Sequence, residues 1–278
     1  MSPIQQMLLG AGGAVATKTY VDDIFSTFLY TGNATARSIN NGVDMSKGGI
    51  TWIKSRSHTL NGNIFSSDLV DGSGTYGCLQ TTDTDAAGYS NTGSNAMLTA
   101  FNNNGFSLGA DGATYRVNGG TLSGSVPTYS SWSFRKAPGF FTIKEYSGSN
   151  SAQTLSHDLG CVPGLIIVKR TDSTGDWMVY HRSRGAGEYG KLNTTVAFGA
   201  GSGIWNSTSP TSTTFSVEGN NTFVNQSGGT FIAYLFAGGE DQTTATARSV
   251  DFDGSGESLT IADSGDFNFG SGDLTMEC

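Results

Sequence analysis

The chain contains nearly the same strand twice, and this duplication constrains its fold more than any other feature of the sequence. Residues 49–56 read GITWIKSR, and residues 164–170 read GLIIVKR. The flanking segments repeat in the same order, which is typical of an internal duplication. We therefore predict two tandem copies of one β-domain. The other matching pairs are Tyr30-Thr-Gly32 with Tyr146-Ser-Gly148, NGFSLG (104–109) with TTFSVEG (213–219), and SSWSFRKA (130–137) with TFIAYLFAG (230–238).

The second copy shows most clearly why these segments should be strands. Leu165–Lys169 is a short apolar run rich in β-branched residues, too short for a helix and preceded by a Pro-Gly pair. The following TDSTG predicts a turn, with Asp172 bonding to the backbone and Gly175 at positive φ. Trp177–Arg182 would then return as the second strand of a hairpin. Because the run is apolar on both faces, we expect the strand to be covered on each side.

The amino-acid composition and the frequent turn residues extend this interpretation to the whole chain. The 40 glycines and a charged fraction of only 14% favour many strands joined by many turns. We predict an all-β protein with two tandem β-sandwich or jelly-roll-like domains, over residues 25–139 and 140–240. Residues 1–24 are predicted to be an N-terminal attachment segment that ends in a short helix from Thr17 to Phe25. Residues 241–278 form a linker and an incomplete β-unit, as expected if the chain is a piece of a longer protein.

Residues 70–98 of the first copy form a polar insertion that contains DGSGTYG and TDTDAAGYSNTGSN. Long polar loops on a rigid scaffold often carry binding sites. A surface insertion can equally be tolerated without any function, because loop length costs little free energy. Both interpretations stay open at this point.

Charge and cysteine content argue against several kinds of partner and cofactor. The net charge is −8 with no cluster of Lys and Arg, so we expect no nucleic-acid partner. No apolar run approaches the length of a membrane span, so we expect no membrane insertion. Cys78, Cys161 and Cys278 are widely spaced and odd in number, which fits neither a disulfide framework nor a zinc site. We expect reduced thiols and no cofactor.

The titratable residues suggest no catalytic constellation, and we expect a protein that is not an enzyme. Of the three histidines, His58, His157 and His181, only His157 is followed by a carboxylate, Asp158. No GxSxG elbow accompanies the pair, so we interpret His157 as a turn residue rather than as part of a dyad. The two carboxylates that cleave a glycosidic bond are brought together by the fold, so they cannot be recognised from their spacing in the sequence. We therefore interpret four carboxylates as surface residues without a predicted catalytic role. These are Glu145, Asp176, Glu188 and Glu218.

One segment near the C-terminus is a candidate for a calcium site. DFDGSGES from Asp251 imitates an EF-hand loop, but its twelfth position is Ala262 and no helix flanks it. A looser calcium site that uses Asp251 and Asp253 stays open. We assign no metal, cofactor or catalytic residue.

Tryptophans can stack on sugar rings or fill a core. Trp52, Trp132 and Trp177 lie in predicted strands, which favours the core for these three. Trp205 lies in the polar loop GSGIWNSTSPTSTT, which makes it the best candidate for an exposed aromatic residue.

Several of these segments resemble a known family. GAGGAVATKTYVDDIFSTFLYTGN, WSFRKAPGFF, SHDLGCVPGLIIVKR and DWMVYHR are similar to segments of tail-fibre-like virion proteins of marine cyanobacterial phages. The resemblance covers residues 1 to about 240, and TKTYVDD is similar to the segment that often follows the particle-anchoring end of phage fibres. Residues 248–278 resemble the start of a concanavalin-like, laminin-G type lectin domain, which stops before the strands that would hold a sugar or calcium.

The resemblance implies a structural protein of the virion, assembled in the host cytoplasm. Residues 1–24 would bind other virion proteins of the tail or capsid, and the β-domains would project towards a host cell-surface glycan or protein. Such fibres are usually homotrimers. Three alternatives stay open: a capsid-decorating fibre or knob, a polysaccharide-degrading tailspike, and a secreted carbohydrate-binding module, the last disfavoured because the N-terminus does not match a secretory signal.

Overall fold

Several long strands are buried or partly buried along almost their whole length, as expected for strands that are covered on both faces. The computed structural model of the protein describes residues 19–89, 97–110, 117–201, 203–219 and 221–238. Within these ranges the elements are α1 (Val21–Ile24), β1 (Phe25–Thr31), β2 (Arg37–Asn40), a 3₁₀ turn (Met45–Lys47), β3 (Gly49–Ser55), β4 (Asn63–Val70), β5 (Tyr76–Gln80), β6 (Gly88–Tyr89), β7 (Leu98–Asn102), β8 (Gly105–Leu108), β9 (Thr128–Arg135), β10 (Phe141–Ser147), β11 (Gln153–Ser156), β12 (Pro163–Arg170), β13 (Met178–His181), β14 (Glu188–Lys191), β15 (Gly199–Ala200), β16 (Thr214–Val217) and β17 (Thr230–Ala237).

The two repeats have the same strand topology. The first large sheet has the order β1-β9-β3-β4-β5-β6, and the second has the order β10-β17-β12-β13-β14-β15. A small sheet accompanies each one, β2-β8-β7 in the first repeat and β11-β16 in the second. In both repeats the first and last strands are antiparallel neighbours, so each repeat begins and ends at the same place in its sheet. The duplicated segments 49–56 and 164–170 form the equivalent strands β3 and β12.

The four sheets stack in four layers with the two large sheets in the middle. One core lies between the large sheets and joins the repeats, and each small sheet covers the outer face of its own large sheet. In β12, Ile167 faces the other repeat while Ile166 and Val168 face the small sheet. The predictions of an all-β sandwich fold and of a strand covered on both sides are confirmed. The shared core contains Ile50, Ile64, Leu69, Leu79, Phe141, Ile143, Ile167, Trp177, Val179, Ile232 and Tyr234.

A buried asparagine fixes the same loop in each repeat. In the second, Asn225 donates from Nδ2 to Ser151 O (2.6 Å) and Glu218 O (3.0 Å), while its Oδ1 accepts from the Ser149 N–H (2.9 Å). Asn118 makes the corresponding contacts in the first repeat. The loop passes so close to the chain that a Cβ at Gly148 would lie 2.0 Å from Gln226 O. Glycine is therefore required there.

We predict that Asn225→Ala lowers the free energy of unfolding by about 2 kcal/mol, because it leaves buried backbone groups without partners. Chemical denaturation measures this loss. Asn61→Ala is the matched control, since Asn61 is exposed and its Nδ2 bonds only to the Gln80 side chain. Equal losses in the two variants would contradict the role given to the buried amide.

The predicted hairpin of the second repeat is confirmed, but its turn differs in detail. β12 pairs with β13 in antiparallel register from Leu165 opposite His181 to Val168 opposite Met178. The Asp172 carboxylate accepts from the Thr230 N–H (3.1 Å) of β17 and pairs with the Arg170 guanidinium (2.9 Å) at the end of β12. Gly175 does not adopt positive φ. Its N–H instead donates to Thr84 O of the first repeat (2.8 Å), so the turn is shaped by contact with the other repeat.

The polar insertion predicted over residues 70–98 is, in its described part, largely a region of sheet. Tyr76–Gln80 is β5, which pairs with β4 and buries Cys78 and Leu79. Gly88–Tyr89 is β6, which pairs with β5, and both strands have equivalents in the second repeat. The prediction of an extra loop was wrong because a short apolar strand lies between two polar turns.

The predicted N-terminal helix is confirmed only over Val21–Ile24. Thr17 lies outside the described residues, as does the rest of the predicted attachment segment up to residue 18. Tyr20 is the N-cap, and its N–H donates to Asp23 Oδ2 (2.8 Å). Phe25 belongs to β1, where it pairs with Phe134, and not to the helix as predicted. No helix in the described part of the chain is long and apolar enough to cross a membrane.

Candidate functional site: an aromatic groove between the repeats

A short connection with a cluster of phenylalanines sets how the repeats meet. β9 ends at Arg135 and β10 begins at Phe141, so only five residues, 136–140, connect the repeats. The Phe134 ring lies 5.3 Å from the ring of Phe236 in an edge contact, and Phe141 lies 4.8 Å from Phe236. Each repeat therefore contributes the end of its last strand to the same aromatic cluster.

An open groove of about 520 Å³ lies beside this cluster, at the mouth of the space between the large sheets. We call it the inter-repeat groove. Trp52 and Phe134 line it from the first repeat, and Phe236 faces them from the second. Trp52 is partly buried and makes an edge contact with Trp132, with ring centroids 6.1 Å apart. The remaining lining residues are Gly164, Leu165, Ile167, His181, Arg182, Ala237 and Gly238.

Polar groups of the β12–β13 hairpin stand at the rim of the inter-repeat groove. His181 is exposed, and its Nδ1 lies 2.7 Å from Ser183 Oγ, which orients the imidazole. Glycines let two backbone segments approach at the floor, since a Cβ at Gly164 would lie 2.4 Å from Gly238 Cα. Aromatic side chains beside a few polar groups are what ligand-binding clefts of this size usually contain. Such a lining can stack on the apolar face of a ring and bond to its hydroxyl groups.

A second, more polar cleft of about 380 Å³ contains Glu145, Tyr89 and the hydroxyl groups of Thr171 and Thr230. We call it the Glu145 cleft. Partial burial, with a further effect of the Asp68 charge, raises the pKa of the Glu145 carboxyl. Asp68 is itself paired with Lys136 at 3.0 Å. Glu145 is the one carboxylate among the lining residues of this cleft that the structure describes. No set of three or more His, Cys, Asp or Glu side chains among the described residues is placed to hold an ion.

Residues 81–87 of the first repeat dock against the second, and we call them the clamp segment. Thr84 O accepts from Gly175 N (2.8 Å) and from Lys169 Nζ (3.2 Å), and the Ala87 N–H donates to Thr171 O (2.9 Å). Burial lowers the pKa of the Lys169 ammonium to about 8, although the charges of Asp83 and other nearby carboxylates oppose this. The ammonium group of the buried Lys169 thus bonds to the first repeat across the contact between the repeats.

The three histidines do not converge. His58 Nε2 contacts Leu122 O at 3.0 Å, and His181 lies at the groove rim. His157 uses its two ring nitrogens on Thr211 O and the Leu159 N–H, as expected of a turn residue. Asp158 accepts a hydrogen bond from the Thr142 hydroxyl instead of contacting His157.

The four unassigned carboxylates are also dispersed. Glu188 pairs with Arg184 (2.6 Å), and Asp176 pairs with Lys191 (2.6 Å). The Glu218 carboxylate accepts from the Gly219 N–H (3.1 Å), while Glu145 lines its own cleft. Asp251 and Asp253, which form the candidate calcium site, and Cys278 lie outside the described residues.

The burial of the tryptophans differs in part from what the sequence predicted. Trp177 is fully buried between the repeats, as predicted. Trp205, predicted to be exposed, is only 1% exposed and packs against Tyr180 at 5.8 Å, because its loop folds over the outer face of the second sheet. Trp52 and Trp132, predicted to be core residues, are only partly buried. Sequence reasoning thus missed Trp52 as a groove residue, and only the pairing of the two repeats could have revealed it.

The comparisons with known proteins agree with a unit made of both repeats. The family model of DUF7483, a domain of unknown function, matches residues 21–243. No curated protein and no solved structure matches the chain. The matched range begins with α1 and includes every strand described above. The matched range spans both repeats, and the chain therefore belongs to the DUF7483 family.

Proposed function

We propose that the protein is a non-enzymatic structural protein of a phage virion, a tail fibre or similar appendage, which recognises the host surface through its stacked repeats. The observation that carries the recognition part is the inter-repeat groove, an open cleft in which aromatic residues of both repeats meet. The sequence resemblance of residues 1 to about 240 supports the virion part. Under this proposal the N-terminal segment attaches to the particle and the repeats project from it.

The groove favours a glycan as the surface molecule. Sugar rings have apolar faces and hydroxyl edges, so they suit aromatic walls next to polar groups. The shared core holds the two walls in a fixed relative position, which limits the entropy lost on binding. A rigid cleft with few charges can bind neutral polysaccharide without requiring a metal or a cofactor.

We expect Trp52→Ala to weaken glycan binding about tenfold, which corresponds to roughly 1.4 kcal/mol of lost stacking and contact. The full chain is first tested on an array of immobilised bacterial capsular polysaccharides and lipopolysaccharides, and the best probe is then titrated by calorimetry. Tyr89→Ala is the matched control, since Tyr89 is 41% exposed but lines the Glu145 cleft.

Trp52 also packs against the shared core, so thermal unfolding must show that both variants are folded. Trp52→Phe, which keeps an aromatic face, should restore most of the binding. An equal loss in the Tyr89 variant would move the binding site away from the groove. If no surface glycan binds the wild-type chain, recognition of a glycan is wrong.

The same glycans test the proposal that the protein is not an enzyme. We expect no release of reducing sugars when the full chain is incubated with each polysaccharide that it binds. Sustained release that is lost in Glu145→Gln would instead identify a polysaccharide-degrading tailspike that uses the Glu145 cleft.

A further inference from the structure

One edge of the first large sheet is built differently from the equivalent edge of the second. β1 is the outermost strand of its sheet, and no other strand among the described residues pairs with its outer side. In an antiparallel pair, alternate residues turn their N–H and C=O groups away from the partner strand. The groups of Phe25, Thr27 and Leu29 therefore face outward, while the outward carbonyl of Thr31, at the end of the strand, accepts a hydrogen bond from the Arg37 guanidinium. Edge strands of this length are normally protected by charge, proline or a bulge, because they otherwise pair with another strand.

The second repeat has charged residues within its edge strand and the first does not; in the first repeat Arg37 of β2 covers only the Thr31 end of the edge. β1 reads FSTFLYT and contains no charged residue, whereas the equivalent β10 reads FTIKEYS. When Tyr30 is aligned with Tyr146, Leu29 corresponds to Glu145 and Phe28 corresponds to Lys144. Leu29 is 57% exposed. The duplication thus kept charges on one edge strand and an exposed leucine on the other.

Other exposed apolar side chains lie at both ends of β1. Tyr20 and Val21, just before the strand, are 63% and 66% exposed. Val126, at 39%, precedes Pro127, whose carbonyl accepts from the Gly32 N–H just after the strand. Clustered exposed apolar groups mark interaction surfaces more often than scattered ones do. Here they lie near the two ends of the strand whose open stretch is Phe25–Leu29.

We propose that β1 pairs in antiparallel register with β1 of a second copy of this chain. The strand has seven residues and no charge, so a two-fold axis at Phe28 matches the edge to itself without repulsion. In this register Leu29 lies opposite Thr27 of the partner subunit, and the two large sheets become one continuous sheet. Such a two-fold contact closes a dimer, which differs from the homotrimer implied by the resemblance.

The mass of the full chain in solution tests this pairing. Light scattering coupled to size exclusion should give twice the chain mass of 29.0 kDa at tens of micromolar. Leu29→Glu introduces the charge found at the equivalent position of β10, and we expect it to raise the dimer dissociation constant at least tenfold. Val196→Glu is the matched control, since Val196 is 71% exposed on a loop and should not affect association.

A second measurement separates lost pairing from lost folding. Amide hydrogen exchange of residues 25–31 should slow with increasing protein concentration in the wild type and in Val196→Glu, but not in Leu29→Glu. A wild type that stays monomeric at all concentrations would overturn the proposal. An oligomer that persists in folded Leu29→Glu would overturn it as well. Neither outcome depends on whether the groove binds a glycan.

Discussion

Trp177→Ala should lower the free energy of unfolding by roughly 3–5 kcal/mol, the range for removing a large aromatic side chain from a core. Trp177 is 0% exposed and lies in the core shared by the repeats. Its Nε1 donates to Gln80 O of the first repeat (3.0 Å), and its backbone N–H donates to Asn193 Oδ1 (3.0 Å). The substitution therefore removes both packing and a hydrogen bond across the joint. Urea denaturation followed by circular dichroism measures the loss.

Trp132→Ala is the control for this substitution, because Trp132 is only partly buried and makes an edge contact rather than a core contact. We expect Trp132→Ala to lower the free energy of unfolding clearly less than Trp177→Ala does. Wild-type unfolding should be a single transition, since the repeats share one core. If Trp177→Ala cost no more than Trp132→Ala, the packing between the repeats would contribute little to stability.

The second large effect depends on pH and arises from Lys169. Lys169 is fully buried, and its pKa is lowered from 10.5 to about 8, mainly because burial disfavours the ammonium form. Between these two values the unfolded chain binds a proton at this lysine that the folded chain does not. The contribution of Lys169 to the free energy of unfolding therefore rises between about pH 8 and pH 10.5, by up to roughly 3 kcal/mol. Below pH 8 the folded protein bears the full cost of the buried charge.

Comparison of wild type with Lys169→Met isolates this contribution, since other groups titrate in the same range. Burial raises the pKa of Cys78 and Tyr146, and these groups make stability fall at high pH in both proteins. The stability difference, wild type minus Lys169→Met, should increase between pH 7.5 and 10. Lys54→Met changes the equivalent lysine of the first repeat, which is only partly buried, and is the control for the loss of a lysine side chain at this strand position. A flat difference would show that Lys169 is not held in a buried site.

The repeat pattern predicted the strands well because the duplicated residues have the same structural role in both repeats. Gly49 is the first residue of β3 and Gly164 is the second residue of β12. Tyr30 and Tyr146 both donate from their hydroxyl groups to the carbonyl of the valine before the buried asparagine. Alignment of the copies could have exposed that asparagine as well. Val117-Asn118 and Val224-Asn225 both lie between the strand β8 or β16 and the last strand of their repeat.

What the sequence could not predict depends on contacts between distant segments. Trp205 lies among Gly, Ser and Thr residues, and nothing in that pattern indicates that the loop folds over a sheet and buries the ring. The inter-repeat groove combines Trp52 with Phe236, which come from different repeats and meet only because the large sheets stack. Residues 81–87 were predicted only as part of the polar insertion over residues 70–98 for the same reason, because their partners are in the other repeat.

Cryo-electron microscopy of purified particles that contain this chain tests the central claim most directly. The account predicts that the two stacked repeats lie at the periphery of the tail, with the inter-repeat groove open to the outside and the N-terminal segment against the particle. The same repeats on the capsid would favour a decorating fibre or knob. A groove filled by another particle protein, or the absence of the chain from particles, would contradict recognition of a host surface by this virion protein.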